Sequence, residues 1–386
     1  MSHWIYLVKT LVSQIYPLVK DTLTWQRVPD VLSPKRFLAL VFALVLVLSA
    51  TRVAGATGQN KPGWRDNQTL LSESRFQKPP HWRWGYFTNS DKARIRYGFS
   101  PTSCANPNGI IVLVPGFTGC GEEFFESIKD FLKAGYDVWE MDWRGNGGSQ
   151  RYLANPDKIH SLGVSHDTRD LRQFISTVVQ NKGALPIYLI AHSFGGLVAL
   201  EFLHDEPALV QKAVLSSPAF SFPKVPACLA HSVAQTICHF GHGEDYAYDQ
   251  GDYPHLEPKL LNPLMHTHDP ERLRLPDALF YVHPELRIGG ATWGFVAQFT
   301  EAVDRLTSAP YLASIKAPVL ICSGSQDRIS YPEPHARVAA ILPAARLLVI
   351  KDGRHELMRE CDTMRNAWLE NVFKFLSPKN SLNPRH

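Results

Sequence analysis

The chain has 386 residues, 45% of them hydrophobic and 20% charged, with nine Trp and thirteen Tyr. That composition excludes a disordered, collagen-like or coiled-coil chain, and leaves two ordinary domains or one large α/β domain with an insertion, whose core needs no disulfides. The net charge of +4 is carried by residues 1–56; the neutral remainder lacks the basic footprint that nucleic acid requires.

Residues 1–56 read as an N-terminal leader. Apolar positions 4, 7, 8, 11, 12, 15, 18 and 19 make a helical stripe suited to a membrane surface, strained by Pro17. Behind Lys35-Arg36, residues 37–50 carry no charge, and Ala54-Gly55-Ala56 follows as a small-x-small pattern, as in an export signal. As a helix this run reaches about 21 Å, short of a hydrocarbon core of roughly 30 Å. Three readings stand: a signal peptide whose true start lies downstream of Met1, an uncleaved membrane anchor, or a core helix with a basic flank. The five Lys/Arg before the run put the body across the membrane by the positive-inside rule, so the expected place is membrane-associated or exported, at the inner membrane or in the periplasm of a bacterium. All six cysteines follow the leader, and Cys228 and Cys238 are near enough in sequence to close a small loop in an oxidising compartment.

Residues 57–80, with Pro79-Pro80, read as a linker, and the body starts near His81. Trp82–Phe87 and Ala93–Phe99 alternate like a hairpin around Asn89-Ser90-Asp91. Solid apolar runs then alternate with helical patterns: Ile110–Val114, Asp137–Met141, Ile187–Ile190, Ala213–Leu215, Val319–Cys322 and Leu347–Ile350. That rhythm predicts a mostly parallel sheet with helices on both faces. It breaks between about residues 220 and 312, a stretch rich in Pro and His, with a possible helix at Leu229–Phe240. We read it as a largely helical lid inserted over the carboxyl edge of the sheet, where open α/β folds place their ligands. Residues 377–386 read as a flexible tail.

The chemistry-bearing residues sit at strand ends. Ile111-Val-Leu-Val-Pro115-Gly116-Phe117 supplies a loop able to donate a backbone N–H. In Asp142-Trp-Arg144-Gly145, the arginine and glycine brace a neighbouring loop. Ile187-Tyr-Leu-Ile-Ala191-His192-Ser193-Phe194-Gly195-Gly196 runs a strand into a tight turn with Ser193 at its apex and a helix starting on small residues, as a strained nucleophile turn requires. A serine needs a base oriented by an acid. Asp327 follows the apolar run Val319–Cys322 and a Gly turn, with Asp352 as the competing carboxylate, and His355 follows the last strand pattern. The expected oxyanion donors are the N–H groups of Phe117 and Phe194. Cys238-His239-Phe-Gly-His242 has no second cluster at metal spacing, so no metal and no other cofactor is expected.

Together, Asp142-x-Arg-Gly-x-Gly, Ala-His-Ser193-Phe-Gly-Gly, Gly324-x-x-Asp327-Arg and Arg354-His355-Glu-Leu resemble the α/β-hydrolase superfamily, and within it the group of monoacylglycerol lipases and bacterial lysophospholipases. Asn262–Arg272, Pro284–Gly294 and Arg354–Arg365 resemble the bacterial membrane-associated lysophospholipases, and the likeness spans residues 81–376. Ala191 stands where the family usually has Gly, Pro115 where many members have His, and the leader is longer than the family's. The resemblance implies hydrolysis of the acyl ester of a lysophospholipid or other monoacyl lipid at a membrane surface, by Ser193, His355 and Asp327. Monoacylglycerol lipase or general carboxylesterase is the alternative; hydrolysis of small peptides, lipid acyl transfer and non-catalytic lipid binding are further ones.

Overall fold

The computed structural model describes residues 66–179, 185–221, 227–253 and 265–377. The leader with its apolar run 37–50 and residues 378–386 lie outside them. Among the described residues no helix is long and apolar enough to cross a membrane.

Residues 66–80, the described part of the expected linker, are mostly exposed or half-buried, with three residues buried. Asp66 caps a short helix, α1 (Asn67–Leu71), by accepting from the Thr69 N–H, and Leu70 and Phe76 are buried in the main core. The hairpin forms as expected from β1 (Arg83–Thr88) and β2 (Arg94–Ser100). Its turn is held by Asn89, whose side-chain oxygen accepts from the N–H groups of Asp91 and Ala93.

The body alternates strands and helices: β3 (Gly109–Val114), α2 (Phe125–Lys133), β4 (Tyr136–Met141), α3 (Val164–Gln173), β5 (Ile187–His192), α4 (Phe194–Asp205) and β6 (Lys212–Ser216). The insertion carries α5 (Ala227–His239), α6 (Pro270–Val282), α7 (Trp293–Leu306) and α8 (Ala309–Ser314). The rhythm resumes with β7 (Val319–Gly324), α9 (Pro332–Ile341), β8 (Ala345–Ile350) and α10 (Asp362–Leu376). The eight strands lie in the order β1-β2-β4-β3-β5-β6-β7-β8, parallel from β4 to β8. The antiparallel hairpin completes the other edge.

Alternation within each buried strand feeds two cores. Val112, Leu189, Leu215 and Ile321 face the layer of α3, α4 and α7, with Leu171, Leu197 and Phe295. Leu113, Ile190, Val214 and Leu320 face the layer of α2 and α10, with Ile128, Phe131 and Trp368. This two-sided burial is why these strands read as continuous apolar runs.

The insertion is pinned to this body. Asp269 caps α6 by accepting from the N–H groups of Glu271 and Arg272. The buried Arg272 side chain pairs with Glu126 at 2.7 Å on α2, Asp269 at 2.9 Å and Asp362 at 2.7 Å at the start of α10. The six thiols are free, and Cys228 and Cys238 do not close a loop. Both lie on α5, where ten residues rise about 15 Å, beyond the Cα reach of a disulfide. Leu189 is fully buried in central β5, so Leu189→Ala is expected to cost about 2–5 kcal/mol of unfolding free energy, measured by urea denaturation.

Candidate active site

Ser193 occupies the turn between β5 and α4 with φ 48° and ψ −114°, a conformation in which side chains are strained. The surroundings enforce it. Its N–H donates to the Ser216 carbonyl at 3.0 Å, and its own carbonyl accepts from the N–H groups of Gly196 and Ala219, each at 2.9 Å. A Cβ on Gly195 would stand 2.5 Å from the Pro115 carbonyl oxygen, and one on Gly196 would stand 2.6 Å from the Cβ of Pro218. Ala191, where relatives of the resembled family usually carry Gly, is fully buried in β5.

His355 stands on the loop after β8 and Asp327 on the turn after β7. The His355 Nε2 lies 3.0 Å from the Ser193 Oγ, and its Nδ1 lies 2.9 Å from the Asp327 Oδ2. The other carboxylate oxygen of Asp327 accepts from the N–H groups of Ile329 at 2.8 Å and Ser330 at 2.9 Å. Burial opposes its ionisation, but the His355 charge and these hydrogen bonds hold the carboxyl below the usual aspartate range. Asp352, the competing carboxylate, is exposed and accepts from the Gln326 side chain instead. Such a row can deprotonate a serine hydroxyl while the acid fixes the imidazole.

The loop of Phe117 presses against Ser193. A Cβ on Gly116 would stand 3.0 Å from both the His192 Cδ2 and the Ser193 Cβ. The indole N–H of Trp143 donates to the Pro115 carbonyl at 2.8 Å, which holds the loop from the other side. Phe194 is the first residue of α4, so its N–H has no acceptor within the helix. Phe295 of α7 packs against the rings of Phe117 and Phe194, with centroids 4.8 and 5.6 Å away, and thereby brings the insertion to the site.

Sequence reasoning missed a chain of buried, contacting ionisable side chains near these loops. The Nε2 of His192 contacts the Glu356 carboxylate at 3.1 Å, Glu356 contacts the Arg359 guanidinium at 3.0 Å, and Arg359 contacts the Glu123 carboxylate at 2.8 Å. Glu356 and Arg359 stand inside the Arg354-His355-Glu-Leu stretch and just after it, but nothing local in sequence points to Glu123 or His192 as their partners. Burial opposes the charge on Glu356, yet Arg359 and His192 hold its carboxyl well below the usual glutamate range.

Arg144 does brace a loop, pairing with Asp170 at 3.0 Å and Asp91 at 2.9 Å. Of the Cys238-His239-Phe-Gly-His242 group, His242 pairs with Asp245 at 2.8 Å. Among the described residues the side chains whose possible metal-ligand atoms converge, within 4.8 Å, are His192, His355 and Glu356. Each of the three already has protein partners: Ser216 for His192, Asp327 and Ser193 for His355, and Arg359 for Glu356.

Comparison with known proteins places this geometry in a family. Residues 105–362 match the serine aminopeptidase S33 family of hydrolases. The probable lysophospholipase L2 of Haemophilus influenzae is 28% identical over 74% of this chain and 88% of its own. Lysophospholipase L2 of Escherichia coli is 27% identical over 76% of this chain and 87% of its own. In fold, the chain is similar to a soluble variant of the monoglyceride lipase of Saccharomyces cerevisiae, with a TM-score of 0.62 at 19% identity over 80% of this chain and 97% of that one.

The buried charges make stability depend on pH. Burial, opposed by Arg359 and reinforced by the Glu356 charge, pushes the Glu123 carboxyl from 4.5 up to about 7. Between those values the folded chain keeps a proton that the unfolded chain releases, so stability falls as pH rises through that window, by up to about 1.4 kcal/mol per pH unit. Glu123→Gln is expected to flatten this slope in denaturation curves recorded from about pH 4.5 to 8.

Proposed function

Because the chain belongs to the serine aminopeptidase S33 family of α/β-hydrolases, we propose that it is a lipid ester hydrolase that cleaves the single acyl ester of lysophospholipids. The observation that carries this reading is the row Asp327–His355–Ser193, at 2.9 and 3.0 Å, with the serine at the apex of a strained turn. The two lysophospholipase L2 relatives, each matched over most of its length, support the substrate class.

The Ser193 Oγ attacks the ester carbonyl carbon as the His355 Nε2 takes its proton. Asp327 orients the imidazole and stabilises the imidazolium, and the N–H groups of Phe117 and Phe194 receive the oxyanion. Collapse of the tetrahedral intermediate breaks the ester bond, and the leaving glycerophospho-alcohol takes the proton from His355. Water, deprotonated by the same histidine, then attacks the acyl-enzyme, releases the fatty acid and restores Ser193. Phe117, Phe194, Phe295 and Phe299 form an apolar wall beside the serine, fitted to an acyl chain. The charge-free run 37–50 behind Lys35-Arg36 supports a place at, or beyond, a membrane.

The test is fatty-acid release by the full chain from lysophosphatidylethanolamine, monoacylglycerol and a short-chain ester. Lysophosphatidylethanolamine is expected to be turned over fastest, and Ser193→Ala to lower turnover on the order of 10⁶-fold. Faster release from monoacylglycerol would replace this reading with a monoacylglycerol lipase. Equal activity in wild type and Ser193→Ala would overturn the serine mechanism.

A further inference from the structure

The residue before the nucleophile and the residue after the general base touch each other. His192 precedes Ser193 and Glu356 follows His355, and the 3.1 Å contact between them runs beside the Ser193–His355 hydrogen bond. Their two rings, His192 and His355, stand 5.0 Å apart between centroids. Both nitrogens of His192 are committed: Nδ1 lies 3.1 Å from the Ser216 carbonyl oxygen at the end of β6, and Nε2 faces Glu356. Glu356 is in turn fixed by Arg359, and by its own N–H, which donates to the His266 carbonyl at 2.8 Å. Arg359 reaches Glu123, whose side chain accepts from the Cys120 N–H at 3.3 Å, just past the loop of Phe117.

We propose that His192 and Glu356 are positioning residues, and that the buried chain His192–Glu356–Arg359–Glu123 sets the register of the nucleophile turn, the histidine loop and the oxyanion loop against one another. The inference rests on the serine-hydrolase reading. Neither residue reaches the reacting atoms; each acts on its catalytic neighbour through one peptide unit. Polar side chains of this length do this over a distance that backbone contacts alone do not span, and burial keeps water from competing for the contacts. Ion pairs of this kind add little to stability over an apolar core, which fits a role in geometry.

The experiment compares His192→Gln, His192→Asn, Glu356→Ala and the double variant His192→Asn/Glu356→Ala in the full chain. A Gln amide can stand in for Nε2 and keep the link to Glu356, whereas an Asn amide stands in for Nδ1 and keeps only Ser216. The expected result is a fall in kcat of about 10²-fold for His192→Asn and for Glu356→Ala, with KM within about twofold, since a misplacement near 1 Å costs that much. His192→Gln is expected to recover at least about tenfold of that loss, and the double variant to be no worse than either single one, because all three cut the same link. Capture of Ser193 by a fluorophosphonate is expected to slow in parallel.

Wild-type kcat in His192→Asn and Glu356→Ala, losses that multiply in the double variant, or losses that follow the melting temperature with no advantage for Gln over Asn would each overturn the proposal. Should one single variant fail to fold, the other cuts the same link from its other partner and decides alone. A wild-type chain without esterase activity would overturn both this inference and the reading beneath it; an active wild type with unaffected variants would overturn the inference alone.

Discussion

A proton can pass between Ser193 and His355 only when their atoms are within hydrogen-bond distance, yet the sheet holds their strands apart. β5 and β8 are three positions apart in the strand order, which is about 14 Å at ordinary strand spacing. The turn after β5 and the loop after β8 must therefore lean together across the ends of β6 and β7. Much of the structure above the sheet serves that convergence. Gly324 at the end of β7 shows how tight it is: a Cβ there would collide with the carbonyl oxygens of Gly353 and Arg354 on the histidine loop.

The convergence concentrates polar groups where water is excluded, and each one must find a partner or lose its charge. Asp327 keeps its charge by facing His355 and two backbone N–H groups. Glu356 and Glu123 compete for the one guanidinium of Arg359, with opposite results: Glu356 is held ionised while Glu123 is pushed toward its neutral form. The strain at Ser193 is met in the same local fashion, by backbone hydrogen bonds from Gly196 and Ala219 to its carbonyl and from its own N–H to Ser216. Stability and catalytic geometry thus draw on the same few loops.

The insertion is joined to both layers of this arrangement. Arg272 ties the start of α6 to α2 and α10. Phe295 of α7 meets Phe117 and Phe194 beside the serine turn. The His266 carbonyl, at the base of the same insertion, receives the N–H of Glu356. A segment that enters the sequence as a break in the strand rhythm is therefore joined both to the body at α2 and α10 and to the loops beside Ser193.

The strand rhythm, the hairpin at Asn89 and the turn carrying Ser193 were legible in the sequence because each is local, and Asp327 and His355 because each follows a strand pattern in the order such a serine requires. A strand buried on both faces must be a continuous apolar run, as in Ile110–Val114 and Ile187–Ile190. A strained turn must be flanked by small residues, as Gly195 and Gly196 flank Ser193. In residues 66–80, little periodicity marks which apolar residues are buried, because Leu70 and Phe76 find their partners on a surface supplied by the distant body. Cys228 and Cys238 looked close until the segment between them proved helical, which carries them about 15 Å apart. The partnership of His192, Glu356, Arg359 and Glu123 was invisible for a related reason. Side-chain chemistry fixes what each charge needs when buried, but which charges meet is set by how strands far apart in sequence are ordered in the sheet, and only the tertiary structure decides that.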